Sequence, residues 1–176
     1  MDSTPKKQVA ISFLGTVLDS GFGQGRWQKW RPNVAMNQRQ DFHLDRMELF
    51  YAEKYRELAD HVKADIQDVS PHTAVNLVPM ELENPWDFSE VYTKLHDWAA
   101  GYTFDTEEET YLTHITTGTH VAQICLFLLV ESRQIPGVLL QTAPPKNQRR
   151  SMGKGDIGGY EIIDLDLARY DVLAER

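Results

Sequence analysis

The sequence predicts an α/β domain in which a mainly parallel sheet of about six strands lies between two layers of helices. Two observations carry that expectation. Short apolar runs of strand length alternate along the chain with amphipathic segments of helix length, the order that joins parallel strands by crossover helices. The chain also has 176 residues, 41% apolar and 10% aromatic, enough to bury a core and too apolar for disorder.

The first strand is Val9–Leu14, ended by the Gly15-Thr16 turn. A long connection follows from Gly15 to about Asp41, a length that marks a functional or disordered loop rather than a plain connector. Leu44–Phe50 alternates like a strand, although its spacing also fits a helix start. Ala52–Val69 reads as an amphipathic helix with Tyr55, Leu58, Ala59, Val62 and Ile66 on one face, stopped at Ser70-Pro71. Ala74–Met80 is a third strand. Asn84-Pro85-Trp86-Asp87 opens a helix whose apolar face is Phe88, Val91, Tyr92, Leu95 and Trp98 and which Gly101 ends.

Tyr111–Thr116 reads as a buried strand leading through a glycine turn into an apolar helix, Val121–Val130. That run is too short to span a membrane, so it belongs to the core. Pro136-Gly137 breaks the chain before the strand Val138–Thr142. Residues 143–159, rich in Pro, Gly and basic side chains, predict a mobile loop. Tyr160–Leu165 is a last strand, and Leu167–Leu173 starts a helix. The N-terminus lacks the apolar core of a signal peptide, and the lone Cys125 has no internal disulfide partner. A cytoplasmic setting is therefore expected.

Net charge is −8, which argues against coating long nucleic acids. The cations are segregated, however. Gly21–Gln40 has no acid but contains Arg26, Lys29, Arg31 and Arg39, and Ala143–Gly155 has none but contains Lys146, Arg149, Arg150 and Lys154. Such a chain suits a few phosphates held in one place.

Thr116-Thr117-Gly118-Thr119-His120 sits at a predicted helix N-terminus, where hydroxyls and free N–H groups favour an anion. The competing reading is that Thr117 or Thr119 only caps the helix. No lysine follows the glycine, which excludes an ATP-hydrolysing P-loop. In sheets of this kind ligands bind beyond the carboxyl ends of the strands, where strand order reverses, so the turns at Gly15-Thr16 and Thr116–His120 share a crevice if their strands are neighbours.

In the long loop, Trp27 and Trp30 alternate with Arg26, Lys29 and Arg31, a pattern for stacking bases and meeting phosphates. The same indoles could instead pin the loop to the domain. His114 fits a satisfied core histidine, while His120 and Gln123 could face a ligand. Asp19 is a candidate for a ribose hydroxyl. Glu107-Glu108-Glu109 reads as a solvated turn. No CxxC, HxH or GxSxG pattern occurs, so no metal, cofactor or catalytic triad is expected.

Five segments in order resemble one family: Phe13–Asp19, Trp27–Pro32, Asn84–Phe88, His114–Ile124 and Ile163–Leu167. From about Val9 onward the chain is similar to the N-terminal domains of the RtcR family, sigma-54-dependent activators of bacterial RNA-repair operons. The resemblance implies a CARF domain, a Rossmann-like three-layer sandwich that senses ligands and pairs as a homodimer. CARF domains bind nucleotides or cyclic oligonucleotides through the turns after the first and fourth strands, here Gly15–Asp19 and Thr116–His120. The implied signal is an RNA end carrying a 2′,3′-cyclic phosphate, such as a tRNA fragment. It would rest on the N–H groups around Thr117–Thr119, with Lys29, Arg31, Arg149 or Arg150 supplying charge.

In that family an AAA+ ATPase and a DNA-binding domain follow in cis. Neither is expected within this chain, which reads as a lone sensor domain without enzymatic activity. One alternative is a ring nuclease that binds and cleaves cyclic oligoadenylate. Another is a pure dimerisation module whose turn is only a cap.

Overall fold

The computed structural model describes residues 4–146, 157–165 and 173. Six strands form one sheet: β1 (Lys7–Phe13), β2 (Arg46–Tyr51), β3 (Ala74–Pro79), β4 (Glu109–His114), β5 (Val138–Ala143) and β6 (Gly159–Ile163). Their order is β3-β2-β1-β4-β5-β6. The first five run parallel, and β6 is antiparallel to β5. The chain therefore steps outward from β1 to β3 and returns to place β4 on the other side of β1. That return makes β1/β4 the switch point, with Val9 level with Tyr111 and Ile11 with Thr113.

Four helices cover the faces: α1 (Pro32–Ala35), α2 (Arg56–Val69), α3 (Phe88–Gly101) and α4 (His120–Glu131). The pleat of β1 divides the core. Val9, Ile11 and Phe13 pack with Val91 and Leu95 of α3 and with Cys125, Leu126 and Leu129 of α4. Ala10 and Leu14 face the other way, among Leu58, Val62 and Ile66 of α2 and Val34 of α1. Burial on both faces is why these strands read as apolar runs instead of alternating ones. Cys125 is fully buried, and burial pushes its thiol up. No helix among the described residues is long and apolar enough to cross a membrane.

The elements depart from expectation in informative places. The long first loop is ordered by a 3-10 turn at Gln24–Gln28 and by α1, with Pro32 opening the helix where its missing N–H costs nothing. The Ala52–Val69 helix begins as a 3-10 turn, Glu53–Tyr55, before α2. β4 starts at Glu109, not Tyr111, so Glu109 is a strand residue and not part of a solvated turn. Arg46 makes that possible by donating to both Glu109 carboxylate oxygens at 2.7 and 2.8 Å, which holds the Glu109 carboxyl down at about 2. On α3 the buried face is Val91, Leu95 and Ala99, whereas Phe88 is exposed. Leu173 is helical, but the rest of the Leu167–Leu173 helix start and most of the 143–159 loop lie outside the described residues.

Candidate functional site

Beyond the carboxyl ends of β1, β2, β3 and β4 lies a cavity of about 690 Å³, lined by Gly15–Leu18, Tyr51, Lys54, Tyr55, Glu81–Glu83, Pro85, Trp86 and Thr117–Thr119 over an apolar floor of Phe13, Phe50, Met80 and Ala122. Its position is the switch point, and the turns after β1 and β4 do share it.

The turn after β1 is a single helical turn that stops. Asp19 N–H donates to the Gly15 carbonyl at 2.8 Å, and the Asp19 carboxylate accepts from Gly15 N–H at 2.7 Å and from the Asn33 side chain at 2.6 Å. Burial raises the Asp19 carboxyl above its ordinary range, against the lowering effect of the Asn33 and Gly15 donors. Gly15 is required here, since a Cβ would lie 2.9 Å from the Asp19 oxygen and 3.1 Å from Thr117. The main-chain N–H groups of Thr16, Val17 and Leu18 meet no acceptor among the described residues. Successive free N–H groups are the kind of donor from which anion-binding nests are built.

The turn after β4 is fastened from below. Thr117 Oγ1 donates to the Phe13 carbonyl at 2.6 Å and lies 3.3 Å from Ser12 Oγ. Ser12 Oγ also meets Asn33 Oδ1 at 2.6 Å and His114 Nδ1 at 2.8 Å, and the other His114 nitrogen meets Thr142 Oγ1 at 2.8 Å. Burial drives the His114 pKa down to about 3. The ring is therefore neutral and structural. Thr116 Oγ1 accepts from Thr142 N–H at 2.9 Å. Thr119 caps α4, accepting from Ala122 N–H at 3.1 Å, and donates to the Pro85 carbonyl at 3.0 Å. All three threonine hydroxyls are thus engaged within the protein. What remains open is main chain: the N–H groups of Gly118, His120 and Val121 have no acceptor among the described residues. Gly118 has φ +89°, and a Cβ there would sit 3.1 Å from Phe13 Cβ.

Of the residues singled out in the sequence, Gly15, Thr16, Thr117, Gly118 and Thr119 line the cavity. Asp19 and Thr116 brace the turns from behind. Gln123 does likewise, donating to the Thr116 and Gly118 carbonyls at 3.3 and 3.2 Å. His120 lays its ring against Trp86, centroids 5.1 Å apart.

The aromatic and basic loop is used differently from the expectation. Arg31 is 2% exposed and donates to Asp65 at 2.7 Å, beside Arg26 at 2.8 Å, and both guanidiniums lie over the Trp27 ring. An arginine so enclosed does not reach a ligand in the cavity, because its guanidinium is held at Asp65, which Arg26 shares. Lys29 donates to the Val17 carbonyl at 2.7 Å and to Ser20, tying the loop under the first turn. Arg149 and Arg150 lie outside the described residues.

Sequence reasoning missed Lys54, Tyr55, Glu83 and Trp86, which complete the cavity walls from β2 and β3. For Trp86 the signal was present: an indole in a helix-opening Asn-Pro-Trp-Asp turn, off the apolar stripe of α3. Among the described residues no group of three or more His, Cys, Asp or Glu is arranged to hold a metal ion.

Residues 6–176 match the family model described as "RtcR: Regulator of RNA terminal phosphate cyclase". The chain is 51% identical over 172 residues to the transcriptional regulatory protein RtcR of Escherichia coli (strain K12), covering 97% of this chain and 32% of that protein. It thus spans about a third of that relative's length. Among solved structures it is similar to Enterococcus italicus Csm6 bound to cyclic hexa-2′-fluoro-hexa-dAMP, with TM-score 0.66 and 15% identity over 97% of this chain and 45% of that one. It is also similar to Can2 from Sulfobacillus thermosulfidooxidans in complex with cyclic tetra-adenylate, with TM-score 0.51 and 12% identity over 86% of this chain and 37% of that one. At these identities the likeness is one of fold, a Rossmann-like α/β sandwich around a mainly parallel sheet. The chain belongs to the RtcR family of transcriptional regulators.

Proposed function

We propose that this domain senses RNA ends bearing a 2′,3′-cyclic phosphate and, through a homodimer, controls an AAA+ ATPase carried by the full-length regulator in the cytoplasm. One observation carries the reading. Two turns at the switch point, Gly15–Leu18 and Thr117–Thr119, line one cavity, and each leaves main-chain N–H groups without an acceptor among the described residues. A cyclic phosphodiester carries a single charge, which fits such donors at the positive end of α4.

The cavity supplies little other positive charge. Among the described residues Lys54 is the one cation of its lining, which also holds Glu81 and Glu83. That balance suits one phosphate at a chain end better than a long backbone. It also supports binding over chemistry, since the three threonine hydroxyls are already bonded and His114 is buried and neutral. Dimerisation is supported by apolar side chains left exposed beside the site, notably Phe88 and Ile124. The relative matched here carries about two thirds of its length beyond this region, room for the ATPase and DNA-binding parts.

Titration with matched oligoribonucleotides tests the proposal. Those ending in cyclic phosphate are expected to bind at least about tenfold tighter than those ending in hydroxyl, the worth of one or two charge-assisted hydrogen bonds. Equal affinities contradict it. Tighter binding of cyclic tetra-adenylate, with linear product appearing, would favour a ring nuclease instead.

A further inference from the structure

We infer that the cavity reads the terminal nucleobase as well as the phosphate, by stacking it on Trp86. This rests on the reading of the cavity as a site for an RNA end. Trp86 is 60% exposed and lines the cavity. An indole so exposed contributes little to the core, yet its backbone is held on every side. Asn84 Oδ1 accepts from Trp86 N–H at 3.0 Å, the Glu90 carboxylate accepts from Glu83 and Asn84 N–H at 2.8 Å each, and Thr119 bonds the Pro85 carbonyl. The His120 ring packs against the indole. A rigidly presented aromatic surface loses little entropy on binding, which is what a stacking platform needs.

Charge points the same way. Among the described residues the lining carries Glu81 and Glu83 against the single cation Lys54, a balance that does not favour a second phosphate. Discrimination beyond the single phosphodiester must then use flat apolar faces. Trp86 offers one on the β3 side, whereas the Tyr55 ring on the β2 side already lies under the Lys54 ammonium, 5.3 Å from its centroid. A nucleobase matches the indole, because every base has a π face and stacking tolerates any sequence. The same Thr119 that caps α4 fixes the Trp86 loop, so phosphate nest and platform are held in one register.

The test pairs two probes with three proteins. The probes are an oligoribonucleotide ending in adenosine 2′,3′-cyclic phosphate and the same strand with an abasic terminal sugar that keeps the cyclic phosphate. The proteins are the natural chain, Trp86→Ala and Trp86→Phe, with sedimentation of each as a companion measurement. In the natural chain removal of the base is expected to weaken binding about tenfold, the usual scale for one stacked base. In Trp86→Ala the two probes should bind alike, and Trp86→Phe should recover most of the difference. Both variants should fold, since the side chain is largely exposed. An unchanged base-dependent ratio in Trp86→Ala overturns the stacking role while leaving the phosphate reading intact. The same ratio accompanied by loss of the dimer would assign Trp86 to a contact between copies. If the natural chain does not prefer cyclic phosphate over hydroxyl, the functional reading itself fails and this inference with it.

Discussion

The Thr117 hydroxyl donates to the Phe13 carbonyl at 2.6 Å and so ties the turn after β4 to the end of β1. The two turns of the site are therefore one mechanical unit. Thr117→Val keeps the shape but leaves the Phe13 carbonyl to the Asn33 side-chain amide, 2.9 Å away. A loss of about 1 kcal/mol, the net worth of one hydrogen bond, is expected from urea unfolding. Thr117→Ser should retain most of the stability.

Gly118 must adopt φ +89° with Phe13 at its back. Gly118→Ala is expected to cost about 1–3 kcal/mol through backbone strain and crowding. Since the turn itself is displaced, affinity for cyclic-phosphate RNA should fall further than stability alone explains, which titration below the melting range would register.

Thr119 both caps α4 and holds the Pro85 carbonyl. Thr119→Ala should lower stability by about 1 kcal/mol, the ordinary worth of a cap. It should also weaken RNA-end binding by loosening the Trp86 loop, and Thr119→Ser should preserve both properties. Calorimetry on the same preparations measures the two effects together.

Arg31 separates structure from recognition. Arg31→Met removes one of two partners of nearly buried Asp65, for a loss of about 2–4 kcal/mol. The preference for cyclic phosphate over hydroxyl should stay as in the natural chain. A collapse of that preference with stability preserved would return Arg31 to the ligand.

Acid should weaken the fold in two stages. His114 is held neutral, with its pKa pushed down from 6.5 to about 3, so its contribution is complete above 6.5 and is lost as pH falls toward 3. Glu109, lowered from 4.5 to about 2 by Arg46, adds a second loss below 4.5. Asp19, raised by burial, opposes them at low pH. Unfolding free energies from urea titrations between pH 7 and 5 should fall by up to about 1.4 kcal/mol per pH unit from His114, and His114→Gln should flatten that limb.

Much of this was legible in the chain. Strand-length apolar runs placed five of the strands and alternation suggested β2, which a helix start fitted almost as well; the hydroxyl-glycine turn before an apolar helix supplies one wall of the cavity. Pairings between distant residues were not. Arg31 looked like a free cation because its partner, Asp65, lies 34 residues on, in the middle of a helix where an acid ordinarily faces water. Glu109 was hidden in a run of three glutamates because the residue that draws it into the sheet, Arg46, comes from another strand. Trp86 was absorbed into a helix start, since nothing local shows that its loop closes over the cavity.

The central claim is that the two turns form one phosphate site. Amide chemical shifts of the domain, followed while RNA ending in 2′,3′-cyclic phosphate is added, test it most directly. Concerted shifts are expected at Thr16, Val17, Gly118, His120 and Val121 at a single saturating affinity, with far smaller changes for the hydroxyl-ended strand. Shifts confined to one turn, or identical responses to the two RNA ends, would contradict it.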